Sequence, residues 1–131
     1  MYLMDGIVAL EDRLHPMAGV FPMRARMQPK LVAIRYVEVE GADDVSWRRR
    51  GERARGHEFR YSRMEEMPAN VARHYQLHSK NGTRGESFAF GSVLGSYVHL
   101  HFASCPEFAE RFVAACADRQ RAQERFQHNE L

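Results

Sequence analysis

Cysteine is scarce in this chain of 131 residues, with Cys105 and Cys116 the only examples. Both fall near one expected C-terminal helix, so a structural disulfide between them is not expected, and a reducing cytoplasm is the compartment implied. Long apolar runs are missing as well. None approaches the roughly 18 residues of a membrane span, and Asp5 interrupts the N-terminus before a signal-peptide layout can develop. Charge of one sign is not in excess: 19 Lys and Arg against 17 Asp and Glu leave +2, too little to argue for a nucleic-acid partner. Internal repeats and low-complexity segments are absent. What remains is an ordinary globular composition, at a length that suits a single domain over residues 1–131 with a genuine core.

The chain opens on Met1-Tyr2-Leu3-Met4 with no polar lead-in and reads as though it begins inside an element. Tyr2, Leu3, Ile7, Val8, Leu10 and Leu14 fit an imperfect helical stripe, so residues 1–11 are expected to be the tail of a helix, with Gly6 weakening its middle. His15-Pro16 through Phe21-Pro22 reads as a breaker-rich connection. Leu31–Glu40 is β-branched and increasingly alternating, a strand with Val37 and Val39 inward, and residues 41–44 form a turn. Arg48, Arg49, Arg50, Arg53 and Arg55 crowd one short run. The plain reading is a solvated loop; the sharper one is a surface for an anionic ligand or an acidic partner. No aromatic residues are interleaved there, which again argues against nucleic acid.

His57–Tyr61 alternates as a strand with His57, Phe59 and Tyr61 on one face, and Arg63–Asn70 reads as a loop or short turn holding Pro68. His74–Ser79 is another short strand, with His74 and His78 on its open face. Lys80-Asn81-Gly82-Thr83 then signals a hairpin with the Glu86–Phe90 segment. Gly91 and Gly95 flank a tight passage into the next stretch. Cys105–Phe126 is the strongest helix, with Phe108, Phe112, Ala115 and Cys116 as its buried stripe and a polar, fraying far end over Asp118–Glu130.

The most informative stretch is Ser96–Ser104, Ser-Tyr-Val-His-Leu-His-Phe-Ala-Ser. Val98, Leu100 and Phe102 alternate with Tyr97, His99 and His101, the pattern of a strand with one apolar face and one face of aromatic and imidazole groups. Ser104 and Glu107 have capping-box spacing, and Pro106 suits the first turn of the following helix. Two imidazoles on such a strand need partners or a task. His99, His101 and Cys105 could start a zinc site, but the remaining ligands are not evident and no metal is expected. Cys105 sits near a helix N-terminus, where a thiol's pKa is lowered; a buried, inert cysteine is the plainer reading.

Gly56-His-Glu-Phe-Arg-Tyr-Ser62 together with Gly91-Ser-Val-Leu-Gly-Ser-Tyr-Val-His-Leu-His-Phe-Ala-Ser104 resembles the end of the cobyrinic acid a,c-diamide synthase family, the glutamine amidotransferases of cobalamin biosynthesis. Met1-Tyr2-Leu3, Met17-Ala-Gly19 and Gly41 at the end of a Tyr-x-Glu-Val strand sit where that family's pattern puts them, and the resemblance covers nearly the whole chain.

The resemblance implies an α/β fold, the C-terminal portion of a flavodoxin-like class I glutaminase domain with a mixed sheet and flanking helices. It implies a cysteine nucleophile on an elbow and a histidine base, releasing ammonia from glutamine for amidation of corrinoid or related tetrapyrrole carboxylates. His99 matches the histidine base. His101 stands where other class I glutaminases carry a carboxylate, and it either orients His99 or packs. His57, Glu58 and Tyr97 are weaker candidates for the glutamine pocket. The family's nucleophile lies in a Glu-Cys-Gly-Gly string just before Met-Tyr-Leu, so it is expected outside these residues, and the isolated chain is expected to be inactive. Arg60 stands where a histidine is more usual. No cofactor is expected in this chain; ATP and Mg²⁺ belong to a synthetase part. One sheet edge and an apolar face should be left open, to pair with a synthetase or elbow segment or with a second copy. The alternative reading is a non-catalytic binding or regulatory remnant of the fold.

Overall fold

Met4, Gly6 and Val8 are buried while Asp5 between them is exposed. A period of two makes strand β1 (Met4–Val8), where a helix tail was expected. Gly6 belongs to that strand because its missing side chain admits the neighbouring one: a Cβ there would lie 2.7 Å from Leu14 Cδ1 and 3.0 Å from the His15 carbonyl. A computed structural model describes residues 1–45, 48–65, 68–91 and 93–129, with side chains through Arg125 in the last of these. Parts of the readings above that fall on residues 66, 67, 92 and 130 lie outside the described residues.

The expected breaker-rich connection also resolves into strands, β2 (Leu14–Pro16) and β3 (Phe21–Met27). In β3, Phe21, Met23 and Ala25 face the core while Pro22, Arg24 and Arg26 are exposed, an alternation that the two prolines hide. β1 pairs antiparallel with β2 and parallel with β3, and β3 pairs with β6 (Ser62–Met64), a strand that takes Arg63 and Met64 out of the region expected to be loop. The expected strand before it is β4 (Ala33–Gly41), with Val37 and Val39 buried. β5 (Arg53–Arg60) begins earlier than the sequence suggested and takes Arg53 and Arg55 out of the arginine loop.

β7 (Tyr75–Ser79) turns at Lys80 and Asn81 into β8 (Gly82–Glu86), so the hairpin forms with an earlier return strand than the one expected. Ser87, fully buried at φ 63, then redirects the chain into a separate hairpin, β9 (Phe88–Phe90) with β10 (Val93–Gly95). The last strand, β11, is only His99–Leu100. The larger sheet runs β11-β5-β4-β7-β8 and the smaller β2-β1-β3-β6. The fold is therefore mixed α/β with one parallel strand pair, but a single α-helix is found among the described residues in place of flanking helices.

Phe102–Ser104 forms a 3-10 turn and α1 spans Pro106–Asn129. Phe108 is buried, but Phe112 and Cys116 are exposed and Ala115 only half-buried, so the expected stripe is covered by this chain in its first turn alone. The capping box is not made, because the Ser104 hydroxyl is turned toward β5 instead. α1 is tied to the sheet by Phe108 and Cys105 in the core and by the Arg111–Glu52 ion pair. Burial alone would raise the Glu52 pKa. Hydrogen bonds from Arg111, the Arg49 backbone and Cys105 outweigh burial and hold it below the ordinary carboxylate value.

Two apolar clusters support the sheets. One joins Val37, Val39, Ala54, Tyr75, Leu77 and Val98 to the start of α1; the other is built on Met4, Phe21, Met23, Ala25 and Phe88. Each large side chain in them contributes about 1.5–3 kcal/mol relative to exposure. Arg48 is buried rather than solvated, its guanidinium 4.2 Å from the Tyr75 ring centroid. Burial pushes the Tyr75 hydroxyl up to about 12, with Arg48 opposing. His74 and His78 are partnered rather than simply exposed: His74 Nδ1 lies 3.0 Å from Asp43, and His78 bonds Thr83 at 3.0 Å and lies 3.3 Å from Glu40.

Candidate functional site

Antiparallel register sets the site. Tyr36 on β4 faces His57 on β5, and His57 faces His99 on β11, so three side chains form one row across the outer face of the larger sheet. The rings of His57 and His99 meet edge to face with centroids 4.8 Å apart, and His57 Nε2 lies 3.1 Å from His99 Nδ1. One ring must donate and the other accept, so the contact exists only while at least one imidazole is neutral. Both rings are exposed to solvent.

The row lies between two chemically different neighbours. On one side Ile34 faces Phe59, and Tyr61 packs edge to face on Phe59 at 5.7 Å, giving an apolar strip. On the other, Glu38 faces Arg55, and Arg53 bridges Glu38 and Glu40 at 3.0 and 2.8 Å. A shallow depression of about 310 Å³ is lined by Tyr36, Val37, Glu38, Arg55, Gly56 and His78.

The close approach of β11 depends on Gly56. A Cβ on that residue would lie 2.5 Å from the His99 carbonyl oxygen and 2.8 Å from Val98 Cγ1. The Gly in the Arg-Gly-His-Glu-Phe string therefore fits an edge strand so close that no side chain can intervene.

The other sequence candidates lie elsewhere. His101 follows β11, its backbone N–H donating to the Arg55 carbonyl at 2.8 Å and its carbonyl accepting from the Ser104 hydroxyl at 2.6 Å. Glu58 sits on the opposite face of the sheet from His57 and is almost fully buried, accepting from Arg35 at 2.5 Å and from Arg84 at 2.7 Å with Arg60 3.9 Å away. These guanidinium groups compensate a carboxylate that could not otherwise be buried. Tyr97 is half-buried beneath the Arg60 guanidinium, 2.9 Å from the Ser62 hydroxyl. The structure thus brings His57 to His99, and leaves Glu58 and Tyr97 in the packing behind the sheet.

Cys105 is the buried cysteine that the plainer reading expected. Burial raises its thiol pKa, and the Glu52 and Glu107 carboxylates add to the rise, against a lowering by its backbone hydrogen bond with Phe108. A buried thiol among carboxylates is a poor thiolate, whatever the helix N-terminus offers. Among the described residues no group of three or more His, Cys, Asp or Glu side chains is arranged to hold a metal ion. No described helix is long and apolar enough to cross a membrane.

Sequence reasoning missed Tyr36, and read Arg55 only as part of the arginine run. Both stand at outward positions of strands whose alternation was visible, but only cross-strand register sets them beside the histidines.

Residues 1–106 match the family described as the CobB/CobQ-like glutamine amidotransferase domain. The chain is similar to the cobyrinate a,c-diamide synthase of Leptospira interrogans, 36% identical over 119 residues that make up 88% of this chain and 26% of that protein. It is likewise similar to that of Priestia megaterium, 34% identical over 120 residues, 88% of this chain and 25% of the other. The same holds for that of Methanothermobacter thermautotrophicus, 36% identical over 113 residues, 86% and 24%. The chain thus spans about a quarter of the length of these relatives.

Proposed function

Because this chain belongs to the CobB/CobQ-like glutamine amidotransferase domain family, we propose that it forms the histidine-bearing portion of a glutaminase that supplies ammonia for amidation of corrinoid carboxylates in a cobyrinate a,c-diamide synthase. The observation that carries this reading is His99 itself: an imidazole at the sheet edge, open to solvent, with a second ring against its Nδ1. Its Nε2 is the atom left to exchange a proton.

The nucleophile is a cysteine of an elbow segment outside these residues, since Cys105 is buried and its thiol pKa is raised. In the first step His99 Nε2 takes the proton of that thiol, and the sulfur forms a bond to the glutamine amide carbon. The same proton then goes to the departing nitrogen as the C–N bond breaks, releasing ammonia and leaving a thioester. Water, deprotonated by Nε2, attacks the thioester carbon; glutamate leaves and the thiol is restored.

The elbow segment covers the open outer face, where Tyr36 is 91%, Ile34 68%, Phe59 51% and Tyr61 44% exposed. Such a contiguous apolar strip is a surface that expects a partner. The resemblance implies a synthetase part that would hold ATP and Mg²⁺, which would supply activation of the acceptor carboxylate. Nothing in this sequence reads as a Gly-rich phosphate loop. We place the enzyme in the cytoplasm, where its free cysteines stay reduced.

The test is to co-express the chain with a polypeptide carrying a Glu-Cys-Gly-Gly elbow, and to measure glutamate and ammonia formed from glutamine. The expected result is glutaminase activity that falls by roughly 10²–10⁴-fold in His99→Ala. Activity unaffected by His99→Ala would remove His99 from the mechanism. A folded complex with no activity would favour the non-catalytic remnant.

A further inference from the structure

We infer that His57 is a positioning residue for His99, holding it in the tautomer that leaves Nε2 free to accept a proton; this rests on the reading of His99 as the base. In an acyl-transfer site of this kind, the base must carry its own hydrogen on the nitrogen facing away from the nucleophile and be held there by an acceptor. The sequence offered His101 for that role, but His101 lies past the end of β11, outside the register that pairs His99 with His57. The side chain that meets His99 Nδ1 is His57, with Nε2 at 3.1 Å.

Proton placement then follows. Were His57 Nε2–H the donor, the neutral His99 would carry its hydrogen on Nε2 and have no lone pair for a thiol proton. With His99 Nδ1–H donating to His57 Nε2, the His99 Nε2 lone pair is exposed and His57 keeps its own hydrogen on Nδ1. His57 is fixed for this role by backbone geometry. It is the direct cross-strand partner of His99, and Gly56 before it lets β11 come close enough for the rings to touch. A neutral imidazole supplies the acceptor but not the negative charge of a carboxylate, so His57 orients His99 and adds little to stabilising its protonated form.

The experiment has two readouts. The first is the ring tautomer of His99 by ¹⁵N NMR of the 131-residue chain at a pH where the ring is neutral, repeated in the complex with the elbow segment. We expect hydrogen on Nδ1 in the wild type and a return to the Nε2–H form, the one usual for an unconstrained histidine side chain, in His57→Ala. The second is steady-state kinetics of the complex. His57→Ala should lower kcat by about tenfold, the worth of one neutral hydrogen bond in the transition state, with KM unchanged. His57→Gln, whose amide oxygen can accept the same hydrogen bond, should restore most of kcat.

Hydrogen on Nε2 of His99 in the folded wild-type complex would overturn the inference. So would His57→Ala with unchanged kcat, or a His57→Gln variant no better than His57→Ala. A wild-type complex without glutaminase activity but with hydrogen on Nδ1 of His99 would count against the proposed function instead, leaving the pairing intact.

Discussion

The backbone of Arg55 is bracketed by the segment that follows the histidine strand: its N–H donates to the Ser104 hydroxyl at 2.8 Å, a contact spanning 49 positions of sequence, and its carbonyl accepts from the His101 N–H at 2.8 Å. This clamp holds the two-residue β11 beside β5 and sends the chain into α1. Ser104→Ala removes the hydroxyl acceptor and should cost about 1 kcal/mol. Urea unfolding should show a lower midpoint at unchanged m-value.

Gly56→Ala should do more damage than its size suggests. The new methyl would collide with the His99 carbonyl at 2.5 Å, so β11 must move away from β5. A loss of about 1–3 kcal/mol is expected from overpacking, with faster hydrogen exchange at the His101 amide, whose bond to Arg55 keeps the strand in place. An unchanged His101 amide would show that the strand has room the geometry denies.

Glu52 gives the docking of α1 a pH dependence. Its folded pKa is lowered: burial opposes the shift, but hydrogen bonds from Arg111, Arg49 and Cys105 outweigh it. A depressed carboxylate pKa contributes stability that is fully present above the unfolded value and lost as pH falls through the folded one. Glu52→Gln should therefore be less stable than the wild type at neutral pH, and the two should converge below the folded pKa of Glu52. Parallel stability curves across the acid range would remove the Arg111 contact from the account.

The two cysteines should differ in reactivity. Cys105 is buried with its thiol pKa raised, and Cys116 is exposed on α1. Alkylation by iodoacetamide at neutral pH, mapped by mass spectrometry, should label Cys116 first. Cys105 should follow only when the chain unfolds. Equal rates in the folded state would show that the start of α1 opens readily.

What the sequence determined by itself was local and periodic. Alternation placed β4 with Val37 and Val39 inward, put His57 and Phe59 on the outer side of β5, and marked Asn81-Gly82 as a hairpin turn. Two long strings carried the resemblance to the family, with Arg60 a departure inside the first, and from that resemblance came the expectation for His99. Tertiary structure decided the rest. β1 and β3 were misread because short strands carrying Gly6 and Pro22 owe their existence to each other's hydrogen bonds, which no local propensity reports. The strand expected over Ser96–Ser104 shrank to two residues because Ser104 bonds across to Arg55 rather than capping its own helix. His57 became the neighbour of His99 through register, a relation between residues 42 positions apart. Side-chain period is a property of one strand and can be read along it; which side chain stands opposite depends on how strands align, and only the folded sheet fixes that.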